Sequence, residues 1–236
     1  MVADQHALVR TLSLRFRWLG DAALTLDFPE PGLAPALAAA IDTLIAVGKL
    51  PGALECLAAL RSVTLYFDPL ASDPDSWRGT LSELAAHATR APVRGRHWRI
   101  PVCCDSEFAP DLMTLAARRG MDADAFLAPL LATTVTVRMI GFLPGFAYMG
   151  AVPRRCQAPR LATPRTRVAA GSVAIAGPLC AIYPCTSPGG WNLIGRTPLA
   201  LFDARRDEQP CLLAPGDQVA WQRVDRAEFD RLAATS

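Results

Sequence analysis

The sequence predicts a small α+β domain of order β-β-α-β-β-α followed by a mainly β domain, and three observations carry that prediction. Apolar and polar residues alternate in short runs before residue 67, and two Ala- and Leu-rich stretches between residues 34 and 90 have helical spacing. Turn signals then recur at short intervals from Val135 to Val224.

In order along the chain, Leu12, Leu14, Phe16 and Trp18 alternate with polar residues over 11–18, Gly20-Asp21 turns the chain, and 23–28 gives a second strand to pair with the first. Residues 34–47 are predicted as a helix, entered through proline and closed by Gly48. Residues 54–60 and 62–67 read as two more strands and 74–90 as a second helix, completing a two-layer domain. Pro92 and Gly95 interrupt the pattern, so the expected domains are 1–92 and 93–236. Beyond the boundary, 99–103 reads as a strand and 110–119 and 122–131 as helices. The rest is a series of short apolar runs separated by Gly-Phe-Leu-Pro-Gly, Ala-Gly-Ser, Ser-Pro-Gly-Gly and Pro-Gly-Asp, which implies a barrel or a sandwich.

Composition narrows the function. With 51% hydrophobic and 19% charged residues and a formal net charge of +2, the chain is neither disordered nor a general nucleic-acid binder. Lys49 is the only lysine, and Val-Gly-Lys-Leu-Pro-Gly offers neither a Walker phosphate loop nor a Schiff-base site. The seven cysteines are odd in number, include the vicinal pair Cys103-Cys104 and form no Cys-x-x-Cys, so they read as reduced thiols. The first residues lack a basic-then-apolar leader and no run approaches about 18 apolar residues. A reducing cytoplasm and no membrane span are therefore expected.

The segment 125–202 contains no Asp, Glu, Lys or His, but it holds Arg138, Arg154, Arg155, Arg160, Arg165, Arg167 and Arg196, a charge of +7. Residues 1–124 sum to −3 and 203–236 to −2. A planar guanidinium is a fixed fork of donors suited to carboxylate or phosphate, so an anion-binding cleft is expected; the competing reading is that these arginines pair with acids from elsewhere or face solvent. The segment cannot by itself supply paired catalytic carboxylates or a metal site, and no metal is expected. Ser172, Ser187, Thr163, Thr197, Cys180, Cys185 and Tyr183 are its available nucleophiles or donors, while His6, His87 and His97 lie outside it, so no catalytic residue is assigned.

Two stretches, 141–150 and 187–198, are dense in Gly, Pro and aromatic residues and fit no dinucleotide or phosphate-loop pattern. They read either as tight turns with their rings in the core or as a rigid cleft wall. In the second reading Phe142, Phe146, Tyr148 and Trp191 flank a ligand held by Arg165, Arg167 or Arg196. Of the two arginines in 165–167, Arg165 is the choice to meet the cleft.

These motifs resemble the family of allophanate hydrolase subunit 1, which also includes one subunit (B) of bacterial ATP-dependent 5-oxoprolinase and the Kip-type inhibitor of a histidine kinase. The resemblance runs nearly end to end. It rests on Gly20-Asp21-Ala22-Ala23, Pro51-Gly52-Ala53-Leu54-Glu55, Tyr66-Phe67-Asp68-Pro69, Ile100-Pro101-Val102, Pro110-Asp111-Leu112 and, above all, Gly141-Phe142-Leu143-Pro144-Gly145-Phe146. Thr163 to Val168, Ala170-Gly171-Ser172-Val173, Ile182-Tyr183-Pro184, Ser187 to Pro198 and Pro215-Gly216-Asp217 complete it.

The resemblance implies a cyclophilin-like β-barrel for the second domain and a partner, the second allophanate hydrolase subunit or its 5-oxoprolinase counterpart, with a related barrel; a third subunit joins them in 5-oxoprolinase. It implies ATP-dependent opening of the 5-oxoproline lactam to glutamate by the complex, with a small carboxylate as substrate; the candidate substrate-binding residues from the reading of the segment are Phe142, Phe146, Arg165, Arg167, Tyr183, Trp191 and Arg196. It does not imply an ATP site in this chain. The chain departs from the family at Leu130, where a His is usual, at Leu179-Cys180-Ala181, where Gln-Thr-Gly is usual, and at Leu161, where an Arg is usual. The alternatives to a hydrolase subunit are a histidine-kinase regulator and a non-catalytic module that binds small carboxylates.

Overall fold

The computed structural model describes residues 14–29, 32–88, 95–206 and 209–235. The chain divides into two compact units, Met1–Val93 and Arg94–Ser236.

In the first unit β1 (Arg15–Trp18), β2 (Ala23–Asp27), β3 (Ala53–Ala58) and β4 (Ser62–Phe67) form one antiparallel sheet of order β1-β2-β4-β3. Helices α1 (Ala34–Ala46) and α2 (Arg78–His87) complete the unit. The order is the β-β-α-β-β-α that the alternating and helical runs predict. Strand alternation sends Leu24, Leu26, Val63, Leu65 and Phe67 into a core with Leu37 and Ile41 of α1 and Leu81 of α2. Proline within the first turn of α1 loses no helical bond, because that N–H has no partner in a helix anyway. The second helix begins at Arg78 rather than at Pro74. Residues 74–77 are spent in turns, with the Ser76 amide donating to the Asp73 carbonyl and the Trp77 amide to that of Pro74. The predicted start of the first strand at 11–13, the end of the helix at 89–90 and the boundary at 92/93 lie outside the described residues.

The second unit is built on a closed seven-stranded barrel. Its strands are β5 (His97–Cys103), β6 (Val135–Ile140), β7 (Ala147–Gly150), β9 (Ser172–Ala176), β10 (Leu179–Ile182), β12 (Asn192–Arg196) and β13 (Gln218–Val224), in the order β10-β7-β6-β13-β5-β12-β9. The barrel resolves the choice between barrel and sandwich, and it recruits β5, which lies ahead of the turn-rich region. Closure depends on the parallel pairing of β5 with β13, from His97 opposite Gln218 to Cys103 opposite Val224. Two further strands, β8 (Arg165–Val168) and β11 (Ser187–Gly189), pair separately.

Alternate residues fill the barrel: Ile100 and Val102, Val135 and Val137, Val173 and Ile175, Cys180 and Ile182 are all in one core cluster. Helices α3 (Leu112–Ala117) and α4 (Ala123–Leu131) contribute Leu112, Leu115, Phe126, Leu127 and Leu130 to it. The Asp122 carboxylate caps α4 by accepting from the Ala125 amide at 2.7 Å. A last helix, α5 (Arg226–Ala233), is capped the same way by Asp225, which accepts from the Glu228 amide at 2.8 Å. Among the described residues no helix is long and apolar enough to cross a membrane.

Candidate functional site

Beside the barrel core lies a second cluster made of Phe146, Tyr183, Trp191, Val168, Leu193, Ala174, Ala176 and Ala181. Phe146 is its hub. The ring centroids of Phe142, Tyr148, Tyr183 and Trp191 lie 5.4, 4.9, 5.2 and 5.9 Å from that of Phe146, all in edge-to-face arrangements. Such geometry sets positive ring edges against negative faces, fixing the rings relative to one another.

The backbone forces this grouping. Gly145 has φ +80°, and a Cβ there would stand 2.8 Å from the Cβ of Phe202 and 2.9 Å from the Leu201 carbonyl oxygen, so only glycine turns the chain into Phe146. Three residues earlier Phe142 sits at φ +71°, a left-handed conformation that is costly for a bulky side chain, and leaves its ring 63% exposed. Gly189 packs its Cα face against the Tyr183 hydroxyl, in space that a side chain would fill.

Two arginines stand at this cluster. The Arg160 guanidinium lies 5.9 Å from the Trp191 ring centroid. Its loop is pinned there because the Leu161 amide donates to the Gly190 carbonyl at 2.8 Å and the Asn192 side-chain amide to the Pro159 carbonyl, also at 2.8 Å. Arg165 opens β8, opposite Gly189 of β11. Its Nη2 donates to the Asp111 carboxylate at 2.7 Å, while Nη1 is buried and has no hydrogen-bond partner among the described residues. The other Asp111 oxygen accepts from the Leu193 amide at 2.7 Å, so one carboxylate ties β8 to β12. Burial pushes the Tyr183 phenol up, against a backbone hydrogen bond from Trp191 and the charges of Arg160 and Arg165. Burial likewise raises Tyr148, against Arg160. Both phenols therefore stay neutral donors at physiological pH.

Of the residues singled out from sequence, Phe142, Phe146, Tyr183, Trp191 and Arg165 come together here. Arg167 is exposed on the same short strand as Arg165; residues two apart in a strand share a face, so what sets Arg165 apart is its pairing with Asp111. Arg196 is elsewhere: it ends β12 while Trp191 immediately precedes that strand, and its Nε donates to the Ala170 carbonyl at 2.8 Å. The reading that one cleft holds Arg196 with these rings is corrected by the strand itself, since five extended residues span about 16 Å.

The arginines of the acid-free segment divide in the same way. Arg165 is paired with Asp111, an acid from outside the segment, whereas Arg138, Arg154, Arg155, Arg160 and Arg167 are exposed and without an ion pair among the described residues. Sequence reasoning misses Arg160 and Asp111 as site residues, because what places them is the pairing of distant loops and not a local pattern. Of the three places where the sequence departs from the pattern it resembles, Leu130 is buried in the barrel core and Leu179 packs against the aromatic cluster, so these two are filled by apolar contacts.

The chain matches the family model described as carboxyltransferase domain, subdomain C and D, over residues 14–213. It is 34% identical to the B subunit of 5-oxoprolinase from Bacillus subtilis (strain 168), covering 93% of this chain and 96% of that protein. It is 35% identical to the corresponding 5-oxoprolinase subunit of Escherichia coli O157:H7, covering 85% of this chain and 92% of the relative. Among solved structures, TTHA0988 is similar with a TM-score of 0.69 at 34% identity; the likeness covers 89% of this chain and spans 40% of that one.

Proposed function

The chain belongs to the carboxyltransferase-domain family of subdomains C and D, in company with the B subunits of 5-oxoprolinases, and from that premise we propose that it is a subunit of an ATP-dependent lactam hydrolase acting on 5-oxoproline. In this reading it works with a second barrel subunit and a third subunit, and the complex opens the lactam to glutamate.

One observation in the site carries the proposal. Arg165 is held by Asp111 with a buried Nη1 left unpartnered at the edge of a rigid aromatic floor. A buried N–H without an acceptor is rare in folded proteins and calls for one. A carboxylate oxygen of a small substrate supplies it, with the lactam ring against Phe146, Tyr183 and Trp191 and Arg160 adding long-range attraction. The residues here bind and orient. None of them forms an acid–base pair, so proton transfer belongs to groups of a partner protein.

ATP is assigned to the complex. The fit of a nucleotide to this chain is poor: the lone lysine is outside any phosphate-loop pattern, and no group of three or more His, Cys, Asp or Glu able to hold a metal gathers among the described residues.

Titration calorimetry with 5-oxoproline tests the site. Arg165→Lys keeps the charge and loses the planar fork, and should weaken binding by about 1–3 kcal/mol with little change in melting temperature. Unchanged affinity in a folded variant returns Arg165 to a purely structural role.

A further inference from the structure

A second groove, of about 430 Å³, lies at the far end of β12 from Trp191, with Glu107, Phe108, Arg196, Arg226, Phe229 and Asp230 among its lining. Its volume is in the range of small-molecule sites, about 300–1,000 Å³. Arg196 is anchored in it at three points. Its Nε donates to the Ala170 carbonyl at 2.8 Å, its guanidinium lies 5.4 Å from the Phe108 ring centroid, and its stem passes Gly171. Gly171 has φ +80°, and a Cβ there would stand 3.4 Å from Cγ of Arg196 and collide with the Thr197 carbonyl oxygen. The two terminal nitrogens of Arg196 have no hydrogen-bond or ion-pair partner among the described residues.

The groove's carboxylates do not serve Arg196. Arg226, 4.7 Å from the same Phe108 ring, takes both: its Nε donates to the two Asp230 oxygens at 3.0 Å and its Nη1 to Glu107 at 2.5 Å. A guanidinium whose stem and Nε are fixed, and whose outer edge is open, is preorganised for a planar two-oxygen acceptor.

We propose that this groove is a binding site for a small monocarboxylate with a compact apolar body, separate from the aromatic site and independent of the function assigned to it. The Arg196 fork takes the carboxylate. Phe108, Phe229 and Pro198 face the apolar body. The neighbouring Glu107 and Asp230 charges set a limit on the ligand, because they disfavour a dianion more than a monoanion.

Titration of the full chain with benzoate, followed by calorimetry and by NMR chemical-shift changes, tests the site. One saturable event below about 10 mM is expected, with neutral benzamide and inorganic phosphate each at least about tenfold weaker. At the groove, followed by the shifts of residues around Arg196, Arg196→Lys should weaken benzoate about tenfold and Arg196→Gln should abolish binding, while Arg138→Lys, outside both sites, leaves it unchanged. Thermal melts establish that each variant is folded, and Arg196→Lys carries the test if Arg196→Gln does not fold. The proposal is overturned by the absence of saturable benzoate binding, by equal binding of benzamide, by preference for phosphate, or by wild-type affinity in a folded Arg196 variant. Loss of binding in Arg165→Lys but not in the Arg196 variants also overturns it, since the event then belongs to the aromatic site.

Discussion

Asp111 and Arg165 stand 54 positions apart and meet at 2.7 Å, and the second oxygen of the same carboxylate holds the Leu193 amide. The pair joins the loop before α3 to β8 and β12, and it is mostly buried, with the two side chains 15% and 29% exposed. Removing the carboxylate strands a guanidinium and an amide together.

Asp111→Ala should therefore destabilise the chain by about 3 kcal/mol, because both lost bonds are charge-assisted and their partners stay partly buried. Asp27→Ala is the contrast. It breaks an exposed 3.1 Å pair with Arg17 and should cost less than about 1 kcal/mol. Denaturant unfolding of the two variants measures the difference, and equal losses would contradict the clamp.

Phe142 and Phe146 lie in one motif and should respond oppositely. Phe146→Ala empties the hub of five rings and should cost about 3–5 kcal/mol in unfolding free energy. Phe142→Gly relieves a left-handed bulky residue and should leave stability equal or higher by up to about 1 kcal/mol, while lowering affinity for 5-oxoproline. A large fall in melting temperature for Phe142→Gly would place its ring in the fold and not at the ligand.

Burial pushes the thiols of Cys56, Cys104 and Cys180 from 9.0 up to about 12. The native state thus keeps protons that the unfolded chain releases, so stability is full below about pH 9 and falls as pH rises toward 12. Cys180→Ala should flatten part of that fall. Alkylation by iodoacetamide at pH 8, read by mass spectrometry, should mark the exposed Cys185 first and leave the buried Cys103, Cys156 and Cys180 for last.

Much of this fold is legible in the sequence because its signals are local. Alternation in 62–67 and 23–28 returns β4 and β2, and the proline-started, glycine-ended run at 34–47 returns α1. Gly-Phe-Leu-Pro-Gly marks the β6–β7 connection for the same reason. What the sequence hides is non-local. Closure of the barrel rests on the parallel pairing of β5 and β13, 121 positions apart at His97 and Gln218, and no periodicity encodes it. α5 buries Phe229 alone among its residues, too little apolar patterning to announce a helix. In the site, the rings and Arg165 are visible as dense or charge-isolated motifs. Arg160 reaches Trp191 only through the Pro159 and Leu161 backbone bonds, and Arg196 is carried off by the length of β12.

In the proposed function this chain binds and orients 5-oxoproline and a partner supplies the chemistry. The direct measurement is a coupled assay of ATP hydrolysis and glutamate formation on the purified chain, on a second barrel subunit with the third subunit, and on all of them together. No turnover is expected from the chain alone, turnover from the complete mixture, and a loss of about tenfold or more when the chain carries Arg165→Lys. Robust glutamate formation by the isolated chain, or a complete mixture indifferent to whether this chain is present, would contradict it.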